Sequence, residues 1–399
     1  MKAPTAPSLS PFSLHFPKSK PCAFFSLPSK NLNLPNPKFL HINPSQTPPI
    51  LSIPSRKSLN RTAQYSSPGD EIQVVAGHMF CGKTAKLLRR LQAASNNGST
   101  PEIAHEFFPS FPIFRVYKDG RIERLRQTET VPPCDDPRTG VRSKDSPVST
   151  LTSARIFIPR TTDPSAKIPL LIYIHGGGFC LESPFSPAYH NYLTSLVNRA
   201  NVIAVSVEYR KAPEHLLPIA YDDAWTAIKW VASHAKRDGP EPWLNERADF
   251  DRVFLAGDSS GANIAHNMIM RAAGDELLGL KFDGLLLTTP FFMNQELDEF
   301  MEFIFPTSSG PNDPRLNPGC AIDELAAGLV CKRVLVCVAE KDFLRETGVA
   351  YYETVKKSGW NGDIEMVEIQ GEEHVFYLLK PASEKTVDLL NLVSSFLNT

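Results

Sequence analysis

The apolar run Val253-Phe254-Leu255-Ala256 ends in Gly257-Asp258-Ser259-Ser260-Gly261, and a helical pattern begins directly after it. A strand that turns at once into a helix has room only for a sharp, strained corner, and Ser259 stands on it with its hydroxyl exposed. Gly257 and Gly261 suit that corner because only a residue without Cβ lets neighbouring backbone pass so close. GxSxG alone also fits an ordinary Gly/Ser turn at a helix start, so the companions of Ser259 decide what it does.

The first companion lies upstream. Leu170-Leu171-Ile172-Tyr173-Ile174 reads as a buried strand and runs into His175-Gly176-Gly177-Gly178-Phe179. Three glycines in a row expose bare backbone N–H groups, which are the donors a tetrahedral oxyanion needs, and Ser260, the residue after the nucleophile, adds another. A flexible loop would be expected to carry Ser, Asn or Asp; His175 and Phe179 on its flanks point to a shaped site.

The second companion is a base with its orienting carboxylate. Two histidines follow Ser259: His266 and His374. His266 falls about two turns along the elbow helix and points away from the cleft. His374, in Glu372-Glu373-His374-Val375-Phe376, is therefore the expected base. The strand Val334-Leu335-Val336-Cys337-Val338 empties into Ala339-Glu340-Lys341-Asp342. Asp342 is the better orienter, since Glu340 is still close to the strand end and Asp342 sits in the loop that can reach an imidazole. Ser259, Asp342 and His374 then stand in the order Ser, Asp, His of the strand-turn-helix hydrolases.

The rest of the chain alternates in the same way. Val202 to Val207, Leu285 to Thr288 and Ile364 to Ile369 read as buried strands; Ile219 to His234, Ala262 to Ala273 and Glu346 to Ser358 read as amphipathic helices. Such alternation predicts an α/β fold with a mostly parallel central sheet covered by helices on both faces. Trp225 and Trp230, five apart on one helix, read as packing. With 399 residues, 42% hydrophobic residues and a net charge of −1, the chain can bury a large core and carries no charge bias toward nucleic acid. Seven scattered cysteines without a CxxC pair argue against a disulfide framework or a zinc site. No apolar run is long enough to span a membrane, which predicts a soluble protein. The implied partner is a small-molecule ester, with no cofactor, metal, nucleic acid or membrane; the sequence carries no signal of oligomeric state.

From about Glu102 onward the chain resembles the plant carboxylesterases of the hormone-sensitive-lipase type, α/β-hydrolases related to the gibberellin receptor and the hydroxyisoflavanone dehydratases. The resemblance rests on FRVYKDGRIERL (Phe114 to Leu125), HGGGF, EYRKAPEH (Glu208 to His215), GDSSGAN (Gly257 to Asn263), AEKD (Ala339 to Asp342) and EEHVF. It implies an α/β-hydrolase domain over 102–399, Ser259 as nucleophile, Asp342 and His374 as its partners, and Gly176 and Gly177 as oxyanion donors. The receptor branch lacks the catalytic histidine; His374 is kept here, which favours ester turnover over a receptor or dehydratase role on the same scaffold. Between Pro290-Phe291-Phe292 and Pro306-Thr307-Ser308 the chain is shorter than the family, so only a partial lid and a more open or damaged acyl pocket are expected.

The first hundred residues read differently. Residues 1–69 contain no Asp or Glu while Lys, Arg, Ser and Pro recur, the profile of an unfolded organellar transit peptide. The expected address is a plastid or mitochondrion if this segment is retained, and the cytoplasm otherwise. Next, Glu71-Ile72-Gln73-Val74-Val75-Ala76 reads as a strand leading into Gly77-His78-Met79-Phe80-Cys81-Gly82-Lys83-Thr84 and a helix from Ala85 to Ala94. That is a complete phosphate loop, with Gly77 and Gly82 shaping the backbone cradle, Lys83 reaching the terminal phosphates and Thr84 a magnesium ion. Residues 71–98 resemble the start of thymidine kinases through GHMFCGKT and LLRRLQAASNNG. The remaining parts of such a kinase have no room before the esterase-like sequence begins, and one strand with one helix cannot bury a core. The piece at 70–98 is expected to be a vestige of a gene fusion or of a joined gene model.

Overall fold

The computed structural model describes residues 103–106, 113–160, 163, 165–275, 279–293 and 295–399, the side chains of 103–106 excepted. The transit-peptide-like stretch 1–69 and the phosphate loop with Gly77, Gly82, Lys83 and Thr84 lie outside the described residues.

In chain order the strands are β1 (Ile103–Glu106), β2 (Phe114–Tyr117), β3 (Ile122–Arg124), β4 (Arg142–Pro147), β5 (Ser153–Ile158), β6 (Ile168–Ile174), β7 (Ile203–Val207), β8 (Ala248–Asp258), β9 (Phe282–Thr288), β10 (Arg333–Ala339) and β11 (Asp363–Ile369). The helices are α1 (Pro187–Ala200), α2 (Ile219–Ala232), α3 (Pro242–Arg247), α4 (Ser260–Ala272), α5 (Glu299–Ile304), α6 (Ile322–Gly328), α7 (Arg345–Lys357), α8 (Phe376–Leu379) and α9 (Glu384–Asn398). Strands β4 to β11 make one eight-stranded sheet in the order β11-β10-β9-β8-β6-β7-β5-β4, and β1 to β3 make a small separate one. The large sheet is parallel from β7 to β11, and its antiparallel pairs, β4 with β5 and β5 with β7, are confined to one edge.

Successive residues of a strand point to opposite faces, so a sheet covered on both sides needs strands that are apolar throughout. The core divides accordingly. Leu170, Ile172, Leu255, Leu285, Leu287, Val334 and Val336 pack on one face with Ala224 and Ile228 of α2, Ile264 and Met268 of α4, and Val355 of α7. Leu171, Phe254, Leu286, Leu335 and Cys337 pack on the other with Leu193 and Val197 of α1 and Leu390 and Val393 of α9. Val253, Phe254 and Leu255 are each fully buried, a stabilisation of about 1.5–3 kcal/mol per side chain. That burial holds β8 at the centre of the sheet, and with it the corner that carries Ser259.

Among the described residues, each strand and helix read from the sequence is present, with ends shifted by a few residues; the strand read at 71–76 and the helix read at 85–94 lie outside them. Trp225 is a buried packing residue, with the Arg271 guanidinium 4.9 Å over its ring. The shortened segment between Phe292 and Pro306 holds α5: the Asp298 side chain caps this helix by accepting from the Met301 N–H at 2.8 Å, and Met301, Ile304 and Phe305 are buried. The Leu217 N–H donates to the Ile304 carbonyl at 2.8 Å and ties the helix to the core.

Candidate active site

The strand order places four loops along one edge of the sheet, at the C-terminal ends of parallel strands, where open α/β sheets bind ligands. The glycine turn follows β6, the elbow follows β8, Asp342 follows β10 and His374 follows β11.

Ser259 has φ 52° and ψ −124°, a strained conformation for a residue with a side chain. Two close approaches force it. A Cβ on Gly257 would come within 2.4 Å of the Gly261 backbone, and one on Gly261 within 2.2 Å of the Ile174 carbonyl oxygen. Ser259 occupies the cap position of α4 without a side-chain capping bond, so its hydroxyl stays available. The helix N-terminus beneath it favours negative charge there.

That hydroxyl lies 3.0 Å from His374 Nε2, and His374 Nδ1 lies 2.9 Å from Asp342 Oδ2. A carboxylate only accepts, so Nδ1 carries the proton and Nε2 presents its lone pair to the serine. Asp342 is buried, and its other oxygen accepts from the Leu344 N–H at 2.8 Å. His374 keeps 20% side-chain exposure with the Phe343 ring 4.9 Å away. Glu340 turns elsewhere and accepts from the Gly371 N–H at 2.7 Å. His266 is remote, as expected: it is buried against Phe292 and Tyr351, its Nδ1 3.2 Å from the Tyr351 hydroxyl, and burial pushes it down to about 3.

The oxyanion turn departs from the sequence reading at one residue. The Gly176 N–H donates to the Tyr189 hydroxyl at 2.8 Å, so Gly176 is corrected from a free donor to a pinned one. Its Cα is pressed against the elbow: a Cβ there would stand 2.5 Å from Asp258 Oδ2. Among the described residues, the N–H groups of Gly177, Gly178 and Ser260 have no acceptor. Gly177 and Gly178 have φ of 102° and 61°, conformations natural to glycine. The Ser260 hydroxyl accepts from the Phe179 N–H at 3.2 Å and ties the turn to the elbow. Gly178, Tyr189 and Asp258 were not singled out in sequence as site residues. Asp258 is fully buried, and burial pushes its carboxyl up against the opposing hydrogen bonds from Tyr189 and Tyr173.

Among the described residues no three His, Cys, Asp or Glu side chains gather as a metal site, and no helix is long and apolar enough to cross a membrane. A family model described as the alpha/beta hydrolase fold matches residues 171–378. The chain belongs to that family. Two plant relatives match this hydrolase over most of their own length. "Probable carboxylesterase 4, mitochondrial" of Arabidopsis thaliana is 45% identical over 309 residues, covering 72% of this chain and 82% of the relative. "2-hydroxyisoflavanone dehydratase" of Glycyrrhiza echinata is 43% identical over 309 residues, covering 72% and 94%. Among solved structures, esterase LipW from Mycobacterium marinum superposes with a TM-score of 0.53 at 23% identity, over 65% of this chain and 82% of that one, a likeness of fold.

Proposed function

We propose that this hydrolase is a serine carboxylesterase acting on small carboxylic esters, with Ser259 as nucleophile, His374 as base and Asp342 as its orienter. The observation that carries this reading is the unbroken hydrogen-bonded line from the Ser259 hydroxyl through His374 to Asp342. His374 Nε2 takes the proton as Ser259 Oγ attacks the ester carbonyl. The N–H groups of Gly177, Gly178 and Ser260 receive the oxyanion, and one such donor is typically worth ~10²–10³ in rate. Collapse expels the alcohol, which leaves with the proton held on His374. Water, deprotonated by the same imidazole, then frees the acid. Ser259→Ala is expected to reduce p-nitrophenyl acetate hydrolysis to background while the circular dichroism spectrum stays unchanged. Turnover that survives the change would overturn the assignment.

The dehydratase relative favours a second reading on the same residues, in which His374 removes a proton as a substrate hydroxyl leaves as water. Dehydration of a 2-hydroxyisoflavanone at a rate matching ester hydrolysis would move the assignment there. For residues 1–69 the proposal is an organellar address, supported by the mitochondrial relative. A fluorescent protein fused behind this segment should enter plastids or mitochondria, and a diffuse cytosolic signal counts against it. For 70–98 the proposal is a vestigial phosphate loop: Lys83→Ala should leave ester hydrolysis unchanged, and no ATP should be bound.

A further inference from the structure

Three consecutive glycines expose donors, but they cannot hold themselves in place. Glycine loses more backbone freedom on ordering than any other residue, so the turn after β6 must be fixed by its neighbours. Several fixings are visible. Tyr209 donates to the carbonyls of His175 and Gly176 at 3.0 and 3.2 Å, and the His175 ring donates through Nδ1 to the Gly176 carbonyl at 2.8 Å. These hold carbonyls of the turn. The Phe179 N–H is held by the Ser260 hydroxyl, and the Gly176 N–H by the Tyr189 hydroxyl.

That hydroxyl has a second bond. It donates to Asp258 Oδ2 at 2.6 Å, and Asp258 is the residue immediately before Ser259. One phenol therefore links the turn that carries the donors to the elbow that carries the nucleophile. A short bond to a buried carboxylate is among the stronger and more directional hydrogen bonds. The ring has little freedom: Tyr189 is 1% exposed, with Tyr173 and His175 at centroid distances of 6.2 and 5.7 Å.

We infer that Tyr189 is a positioning residue for ester hydrolysis: by pinning the Gly176 N–H to the Asp258 carboxylate, it aims the next two amides at the oxygen that becomes the oxyanion above Ser259. This rests on the esterase reading proposed above. The same carboxylate supplies an internal control. Tyr173 donates to Asp258 Oδ1 at 2.8 Å, is equally buried and makes no hydrogen bond to the turn. A purely structural role for the two phenols predicts that losing either hydroxyl lowers stability and spares kcat. A positioning role predicts that kcat falls on loss of the Tyr189 hydroxyl alone.

The experiment compares Tyr189→Phe and Tyr173→Phe with the unmodified chain, using p-nitrophenyl butyrate for kcat and KM and an alkyl trifluoromethyl ketone as a mimic of the tetrahedral adduct. Tyr189→Phe is expected to lower kcat by roughly 10–100-fold with KM unchanged, and to weaken the ketone by the same factor. Tyr173→Phe is expected to lower Tm while leaving kcat near that of the parent. Equal kcat values for the two variants would overturn the inference. Because Tyr189→Phe leaves two buried polar groups short of a partner, amide exchange in the parent protein labelled with ¹⁵N-glycine gives a second arm. The Gly176 amide should exchange slowly and the Gly177 and Gly178 amides fast; equal rates at all three would also overturn it. Failure of the parent protein to hydrolyse any ester would strike the esterase reading instead, and the exchange rates still decide the clamp.

Discussion

The two halves of the catalytic constellation are held by opposite means. Ser259 stands at the end of β8, between β6 and β9 in the middle of the sheet, and its position is set by backbone pressed against backbone at Gly257 and Gly261, and against Asp258 at Gly176. His374 follows β11, the edge strand, whose residues are exposed or half-buried throughout, and its position is set by side-chain hydrogen bonds to Asp342 and Ser259. The centre is tight, because no atom can be added at these glycines without collision. The edge is oriented chiefly by polar contacts that substitution can remove one at a time. A nucleophile held in a strained turn needs the first arrangement, and an imidazole that gains and loses a proton in each cycle is suited to the second.

The comparison is sharpest at Gly261. An added methyl would stand 2.2 Å from the Ile174 carbonyl and 2.4 Å from that of His175, both backbone atoms that cannot swing aside. Gly261→Ala is expected to cost about 3 kcal/mol or more in stability and to abolish hydrolysis, read by urea unfolding and by p-nitrophenol release. A stable, active variant would mean the centre is not clamped.

At the edge the expected pattern reverses. Asp342→Asn keeps the shape of the side chain but can no longer hold the Nδ1 proton, so His374 presents the wrong nitrogen to Ser259. We expect kcat to fall by ~10⁴ with far less loss of stability than Gly261→Ala. Glu340→Gln, two residues away in the same loop, should leave kcat unchanged because its carboxylate bonds to Gly371 and not to the imidazole. A large loss at Glu340 would show that the loop acts as a unit and that the edge is as tightly coupled as the centre.

Much of this contrast could be read in advance, for a physical reason. A buried parallel strand must be apolar on both faces, so β6, β8 and β10 stand out as uninterrupted runs, and the loops at their ends follow. Chain order and the scarcity of histidine then single out Asp342 and His374. The antiparallel edge strands β4 and β5 were not legible: β4 mixes Arg142, Lys144 and Asp145 with its buried Ser143. Helix α1 was missed because its buried face includes Tyr189, His190, Tyr192 and Thr194 beside its aliphatic residues. The same mixture concealed Tyr189, whose role depends on a carboxylate 69 residues away in sequence. Gly176 was misassigned because a run of identical glycines does not reveal which N–H groups fold inward.

The smallest effect is expected at α5, which contributes no residue to either half. Glu299 has a buried Oε1 without a partner among the described residues, and burial, followed by the nearby Glu302 and Asp298 charges, pushes its carboxyl up to about 7 from an ordinary value of 4.5. The native chain therefore holds a proton that the unfolded chain has already lost between these values. Stability must fall as pH rises through that window and stay lowered above it. Glutamine cannot ionise, so Glu299→Gln removes the loss. Its Tm should match the parent near pH 4 and exceed it at pH 8 by about 2 °C, a modest gain because the side chain is partly exposed to solvent. A gain of the same size at both pH values would assign the effect to packing of α5 and not to the titration of Glu299.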